Sequence, residues 1–277
     1  MNDRRLTPAN GRVAHVSLKG QVAAGRFVAG EQMTIAAPLA DLLARPGGSR
    51  DRQMSMGERL LVLDRHEGFA FVRAAKDGYC GYLSEVALGP DAAPTHWVAA
   101  PATHLYHAPD LKTPEGAYLT MGAQLVIVAE HHRFLETADG LFVPRPHMKR
   151  IGDWHSDPAA VAERFLGTPY LWGGNSRSGI DCSGLVQAAL LACGIACPGD
   201  SDMQERQVGI LLSVGAAPRR GNLYFWKGHV AMAVSSDRLI HANGFHMAVG
   251  HEGIDEAIAR IEAKGDGPVT SIRRPEA

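Results

Sequence analysis

Between residues 33 and 150 the chain is written twice, and that repetition limits its possible folds more than any other feature. One copy opens AAPLADLLARP at Ala36, and the other opens AAPATHLYHAP at Ala99. Each then reaches a Met-Gly pair and an apolar run, MGERLLVLD from Met56 and MGAQLVIVAE from Met121. Each has an Asp-Gly near its end, in AAKDGYCGYL and in TADGLFVPRP. A period of this size marks one supersecondary unit used again. Inside each copy the apolar runs are short, rich in β-branched and aromatic residues, and separated by Gly, Pro, Asp and Ser. About five short strands in roughly sixty residues predict a small β-barrel, one over residues 33–90 and one over 91–150. Such barrels bind or position ligands through rim loops. Tyr79 and Tyr82 in DGYCGYL are rim candidates or barrel-packing residues, and the second copy has no tyrosine at the matching place. Residues 1–32 form a lead segment to which the sequence assigns no function.

From about residue 151 the pattern changes and continues to 277. DPAAVAERFLG reads as a helix with an Asp-Pro start and a closing glycine. TPYLWGGNSRSG is a glycine-rich loop. In DCSGLVQAALLACG, Leu185, Val186, Ala189, Leu190 and Cys193 fall on one helical stripe that ends at Gly194. NLYFW, HVAMAV and RLIHA then read as three strands. A helix followed by an antiparallel meander predicts an α+β domain. The fold expected is multidomain: two β-barrels, then an α+β unit.

Composition narrows the partners. With a formal net charge of −1 over 277 residues, no global field draws in nucleic acid or an anionic membrane. No stretch of eighteen consecutive apolar residues is present, so no membrane span is expected. The opening MNDRRLTPANGRVAHVSLKG lacks the apolar run of a secretory signal, which predicts a cytoplasmic protein. The four cysteines, Cys80, Cys182, Cys193 and Cys197, fit free thiols in a reducing compartment better than a disulfide scaffold. Cys193 and Cys197 lack a second cysteine pair to complete a zinc site, and no metal is expected.

Cys182 raises the chemical question. Asp181 is placed as an N-cap, which puts Cys182 in the first helical turn, where the macrodipole favours an anion and a lowered thiol pKa is expected. Full ionisation increases the nucleophile population by roughly thirty-fold, about 2 kcal/mol of barrier. An amide hydrolase needs a base and oxyanion donors as well. His229, His241, His246 and His251 are the downstream candidates for the base. A helix-start cysteine followed by histidines on successive strands is a papain-like order. The turn between Val234 and Leu239 tests the pairing. A three-residue loop at Ser235–Asp237 sets His241 opposite Ala231 and diagonal to His229 on one face, whereas a two-residue turn sends it to the other face. An odd-length loop, or a compensating bulge, is therefore predicted. A metal site from His241, His246 and His251 is disfavoured by a spacing that suits neither one helix face nor one strand face. His131–His132 reads as a solvated turn.

The segments PYLWGGNSRSGIDCSGLVQ, KGHVAMAV and LIHANG resemble the NlpC-type cell-wall peptidases, a papain-like cysteine peptidase family, and the upstream barrels resemble bacterial SH3-like domains. The resemblance implies that Cys182 is the nucleophile, His229 the base and His241 the residue that orients it, with Tyr170 at the oxyanion site. It implies that Asp181, Ser183 and Tyr79 hold the free amine of an L-alanine, with Tyr82 at a position where the family often has tryptophan. The implied substrate is a murein tri- or tetrapeptide cut between D-glutamate and meso-diaminopimelate or lysine, without a cofactor. Recycling of free peptides in the cytosol follows from that substrate and from the absent leader. A wall-fragment binding protein with a decayed peptidase domain and a papain-like amidase or acyltransferase on another substrate are the rival readings.

Overall fold

The computed structural model describes residues 3–213 and 215–276, and the chain divides into two units, one ending at Ile151 and one beginning at Gly152. In the first unit, alternation of apolar and polar residues builds each strand. Leu39–Leu43 and Ala102–Tyr106, at matching places in the two copies, bury the same alternate positions, with Leu42 and Leu105 both turned into cores. The first copy forms a seven-stranded sheet in the order Arg50–Ser55, Leu39–Leu43, Cys80–Ser84, Phe69–Ala74, Arg59–His66, Glu31–Ile35, Leu88–Pro90.

The second copy follows the same succession: Glu115–Thr120, Ala102–Tyr106, Phe142–Pro144, Phe134–Thr137, Ile127–Glu130, then Gln124–Leu125, His96–Val98, Met148–Arg150. It differs in one break. The equivalent of the long Arg59–His66 strand is interrupted into two pieces, so its ladder is recorded as two sheets. Its core gathers Val98, Leu105, Leu119, Leu125, Leu135 and Val143.

The lead segment is built into the first copy. Val13–His15 pairs in parallel with Arg26–Val28, and Val13, fully buried, joins Leu63, Phe71 and Cys80. Arg12 and Arg26 both donate to the buried Asp64 carboxylate, at 3.0 and 2.5 Å. The amide of Cys80 donates to the carbonyl of Arg5 at 2.7 Å. The barrel sheet begins at Glu31, two residues before the sequence boundary.

The second unit is α+β. Helix α1 (Pro158–Glu163) starts on Asp157, whose side chain accepts from the Ala159 amide. Helix α2 (Cys182–Leu191) follows the glycine-rich loop and buries Leu185, Val186, Ala189 and Leu190, while Cys193 stays half-buried beyond its end. Helix α3 (Ser201–Gln207) reaches back, its Gln204 donating to the carbonyl of Ser183 at 2.9 Å. A six-stranded sheet runs Ile210–Leu211, Ser271–Arg274, Leu223–Trp226, His229–Ala233, Arg238–Asn243, Ala248–Gly253. Helix α4 (Ile254–Ala263) lays Ile254, Ala257 and Ile261 against Trp226, Ala231, Ala233 and Leu239.

The start of α2 is held by small residues. A Cβ on Gly184 would come within 2.5 Å of the carbonyl oxygen of Gly174, so the helix can approach the loop only with glycine there. Gly184→Ala should therefore lower stability by about 1–3 kcal/mol, the usual cost of overpacking, in chemical denaturation. An unchanged midpoint would show that the loop yields instead.

Candidate active site

The glycine-rich loop folds around one carboxylate. Asp181 caps α2 by accepting from the Gly184 amide at 2.7 Å and from the Ser183 hydroxyl at 3.0 Å, and its second oxygen accepts from the Gly173 amide at 2.9 Å. Three donors on one buried carboxylate fix the loop to the helix start. Asp181 and Ser183, expected to hold an amine, are thus hydrogen-bonded to each other at the mouth of the helix. Tyr170 is placed by its backbone amide, which donates to the Met247 carbonyl at 2.9 Å, and by its bridge to Ile180. Its phenol is pushed up by burial and by the Cys182 and Asp181 charges.

Cys182 occupies the first turn of α2, 7% exposed. The lowered thiol pKa expected at a helix start is not what this environment gives. Burial, seconded by the Asp181 carboxylate, pushes the thiol up to about 12, against the pull of the Val230, Ser183 and Cys182 amides. The resting group is a neutral thiol. The Val230 amide at the sulfur places Cys182 next to the residue that precedes Val230, which is His229.

The histidine geometry follows from one turn. Met232 pairs with Ile240 and Ala233 with Leu239, and the Val234 amide closes onto the Arg238 carbonyl, leaving the three-residue loop Ser235–Asp237. Continued by one pair, that register sets His241 opposite Ala231, as the odd-loop expectation required. His229 Nε2 lies 3.0 Å from His241 Nδ1. Burial, reinforced by His241 and Arg260, depresses His229 to about 3, which favours a neutral imidazole at rest. His229 also lines a cleft of about 260 Å³ with Lys227, Asn243, Phe245, Arg260 and Lys264.

Two members of this network escaped the sequence reading. Glu252 Oε2 lies 2.9 Å from His241 Nε2, and Arg260 donates to both Glu252 oxygens at 2.6 and 2.7 Å. Glu252 is on the outer strand and Arg260 on α4, and only the Arg238–Asn243 to Ala248–Gly253 pairing brings them behind His241. Among the described residues, one cluster has metal-ligand chemistry, His241, His246 and Glu252, with ligand atoms within 4.8 Å of one another. Its carboxylate is already engaged by Arg260 and His241, which satisfies it without an ion. His251, the third histidine of the metal alternative, lies 3.8 Å from Glu163 instead.

Tyr79 belongs to the other unit. It precedes the Cys80–Ser84 strand, is 2% exposed, and its ring lies 6.0 Å from the Arg52 guanidinium carbon. Tyr82 packs against Phe71 with ring centroids 5.0 Å apart.

The depressed His229 has a consequence for folding. The unfolded imidazole titrates near 6.5 and the folded one near 3, so between these values the unfolded chain binds the extra proton. Stability from this group is present above about pH 6.5 and is lost as pH falls toward 3. In urea denaturation at pH 7 and 4.5, wild type should lose more stability than His229→Gln. Equal losses would place the ring in water.

Residues 167–260 match the NlpC/P60 family, and residues 42–88 match the bacterial dipeptidyl-peptidase Sh3 domain. The gamma-D-glutamyl-L-lysine dipeptidyl-peptidase of Bacillus subtilis (strain 168) is 28% identical over 222 residues, 69% of this chain and 71% of that protein. Dipeptidyl-peptidase 6 of Lysinibacillus sphaericus is 35% identical over 35% of each chain. Protein P54 of Enterococcus faecium is 35% identical over 30% of this chain, a match that spans only 17% of its own length. The crystal structure of an NlpC/P60 family protein from Bacillus cereus ATCC 10987 shares the fold, with a TM-score of 0.75, 20% identity, and coverage of 88% of this chain and 99% of that one. Cys182, His229, His241, Glu252 and Arg260 all fall inside the matched span, and the chain carries an NlpC/P60-family domain behind a bacterial dipeptidyl-peptidase SH3 domain.

Proposed function

We propose that the chain is a cysteine endopeptidase that cuts the γ-D-glutamyl–diamino acid bond of murein tri- or tetrapeptides with a free N-terminal L-alanine. The observation that carries this reading is the directional contact of His229 with His241, next to the residue whose amide meets the Cys182 sulfur. The name of the Bacillus subtilis relative, a gamma-D-glutamyl-L-lysine dipeptidyl-peptidase, supports the bond.

In the proposed reaction the substrate carbonyl carbon bonds to Cys182 Sγ as the thiol proton passes to His229. The developing oxyanion meets the Tyr170 hydroxyl, and the leaving amine departs with the proton returned by His229. Water, activated by the same imidazole, then hydrolyses the thioester. Since thiol and imidazole both rest uncharged in a buried site, charge separates only during attack.

Asp181 and Ser183 at the helix mouth are proposed to hold the substrate ammonium. A carboxylate that already accepts three donors leaves its remaining lone-pair directions for a charged fourth. The second copy of the repeat is read as a second SH3-like barrel because its strand succession matches the first. We assign residues 1–32 to a lead segment supporting the first barrel at 33–90, 91–150 to the second barrel and 151–277 to the peptidase. The four free cysteines support a reducing, cytoplasmic setting and a recycling role.

Mass analysis of products from L-Ala-γ-D-Glu-meso-diaminopimelate and its lysine counterpart, free and N-acetylated, tests the proposal. The expected product is L-Ala-γ-D-Glu. Cys182→Ala should lower kcat/KM by at least about 10⁴, and acetylation should raise KM about ten-fold or more, the loss of a charge-assisted contact. A fully active Cys182→Ala would leave a binding protein, and indifference to acetylation would favour an amidase or acyltransferase on another substrate.

A further inference from the structure

The hydrogen-bonded line that begins at His229 does not stop at the second histidine. It runs His229 Nε2 to His241 Nδ1 at 3.0 Å, His241 Nε2 to Glu252 Oε2 at 2.9 Å, and Glu252 to Arg260 through two bonds. The His241 side chain is wholly buried, while the side chains of Glu252 and Arg260 are 9% and 18% exposed. We propose that Glu252 and Arg260 are positioning residues that set the basicity of His229 through His241, the carboxylate raising it and the guanidinium holding it back. The proposal rests on the reading of His229 as the base.

The chemistry of the donors fixes the direction of every proton. Burial works against a charge on Glu252, but the bonds from Arg260 and His241 overcome it and hold the carboxyl at about 2, so at neutral pH it only accepts. His241 must then carry its proton on Nε2 and present a bare Nδ1. That nitrogen accepts from His229 Nε2–H, which leaves Nδ1 of His229 as the lone-pair nitrogen for the thiol proton. Without the carboxylate, His241 loses its reason to prefer this tautomer.

The two outer charges then act with opposite sign. When His229 becomes an imidazolium, Glu252 attracts the new charge across one intervening ring and Arg260 repels it from behind. Burial is the first cause of the depressed His229 pKa, and within the remainder Arg260 lowers it and Glu252 raises it. Other charged or titratable groups lie around this line: Asp181, Cys182 and Tyr170, which form their own group at the helix mouth and loop, His246 beyond Asn243, and Lys227, Lys264 and Asp266 around the cleft. None of them changes in the variants below. A simple clamp of α4 onto the outer strand would use the same ion pair, yet its loss from either end would act in one direction only.

The pH profile of Cys182 alkylation by iodoacetamide separates these cases and needs no peptide substrate. The labelled cysteine is assigned by fragment ions, since Cys182, Cys193 and Cys197 share one tryptic peptide. Glu252→Gln keeps an oxygen to accept from His241 but removes the charge. Its alkylation rate at pH 7 should fall about ten-fold or more, equivalent to about 1.4 kcal/mol, and its acid limb should move to lower pH. Arg260→Gln should move rate and limb the opposite way, and Arg260→Lys should return both toward wild type. If Glu252→Gln does not fold, the Arg260 pair still decides: a rate that falls or stays level in Arg260→Gln overturns the proposal. A reactive Cys182 whose profile both Gln variants shift in one direction, or leave unmoved, also overturns it and leaves the peptidase reading standing. A wild-type Cys182 inert from pH 5 to 9 removes that reading, and this proposal with it.

Discussion

One contact, imidazole to imidazole at 3.0 Å, organises the peptidase unit. It requires two histidines from consecutive strands to share a face, and strand geometry grants that only for certain turn lengths. The loop Ser235–Asp237 has three residues, with the Ser235 hydroxyl bonded to the Asp237 carboxylate at 2.5 Å and accepting from the Arg238 amide at 3.1 Å. Shortening it by one residue would turn His241 away from His229 and toward the opposite side of the sheet. The meeting of the two imidazoles therefore depends on a turn remote from both rings.

The charge state of the site is set by competition between two terms of different size. A helix N-terminus stabilises a nearby anion by about 0.3–1 kcal/mol, up to about 2 in favourable geometry. Full burial of an ionisable group costs up to about 3–5 pKa units, at about 1.36 kcal/mol each. For Cys182 burial wins, and the adjacent Asp181 carboxylate adds to it. The same carboxylate is indispensable to the local fold, since the amides of Gly173 and Gly184 both depend on it. The residues that place Cys182 thus also favour its uncharged thiol. In the reaction we propose, activation comes from the base side, which gives the His229–His241–Glu252–Arg260 line its importance.

Much of this was legible in the residues. The repeat at Ala36 and Ala99 announced two units with one strand order, and Asp157, Asp181 and the glycines after α1 and α2 marked the helices. The turn-length argument placed His241 correctly because a period-two strand leaves only two choices. Glu252 was not legible, because its partner strand returns through a turn in which Met247 takes a left-handed φ of 52° that no residue type there announces. Arg260 was hidden for a further reason: its placement depends on how α4 packs onto that strand. The ionisation of Cys182 failed for a related cause. Helix-start position is written in the local sequence, but desolvation depends on residues far along the chain. The burial of Val13 under the first barrel is equally nonlocal, arising from a parallel pairing with Arg26–Val28 and from contacts with Leu63 and Phe71.

The central claim is that the two imidazoles rest neutral with their protons ordered outward toward Glu252. Long-range nitrogen–proton correlation NMR on the nitrogen-15-labelled wild-type protein at pH 7 reports that arrangement directly, since each ring nitrogen's shift reveals whether it carries a proton. The account predicts Nε2–H with unprotonated Nδ1 for both His229 and His241. A proton on Nδ1 of either ring, or an imidazolium at that pH, would contradict it.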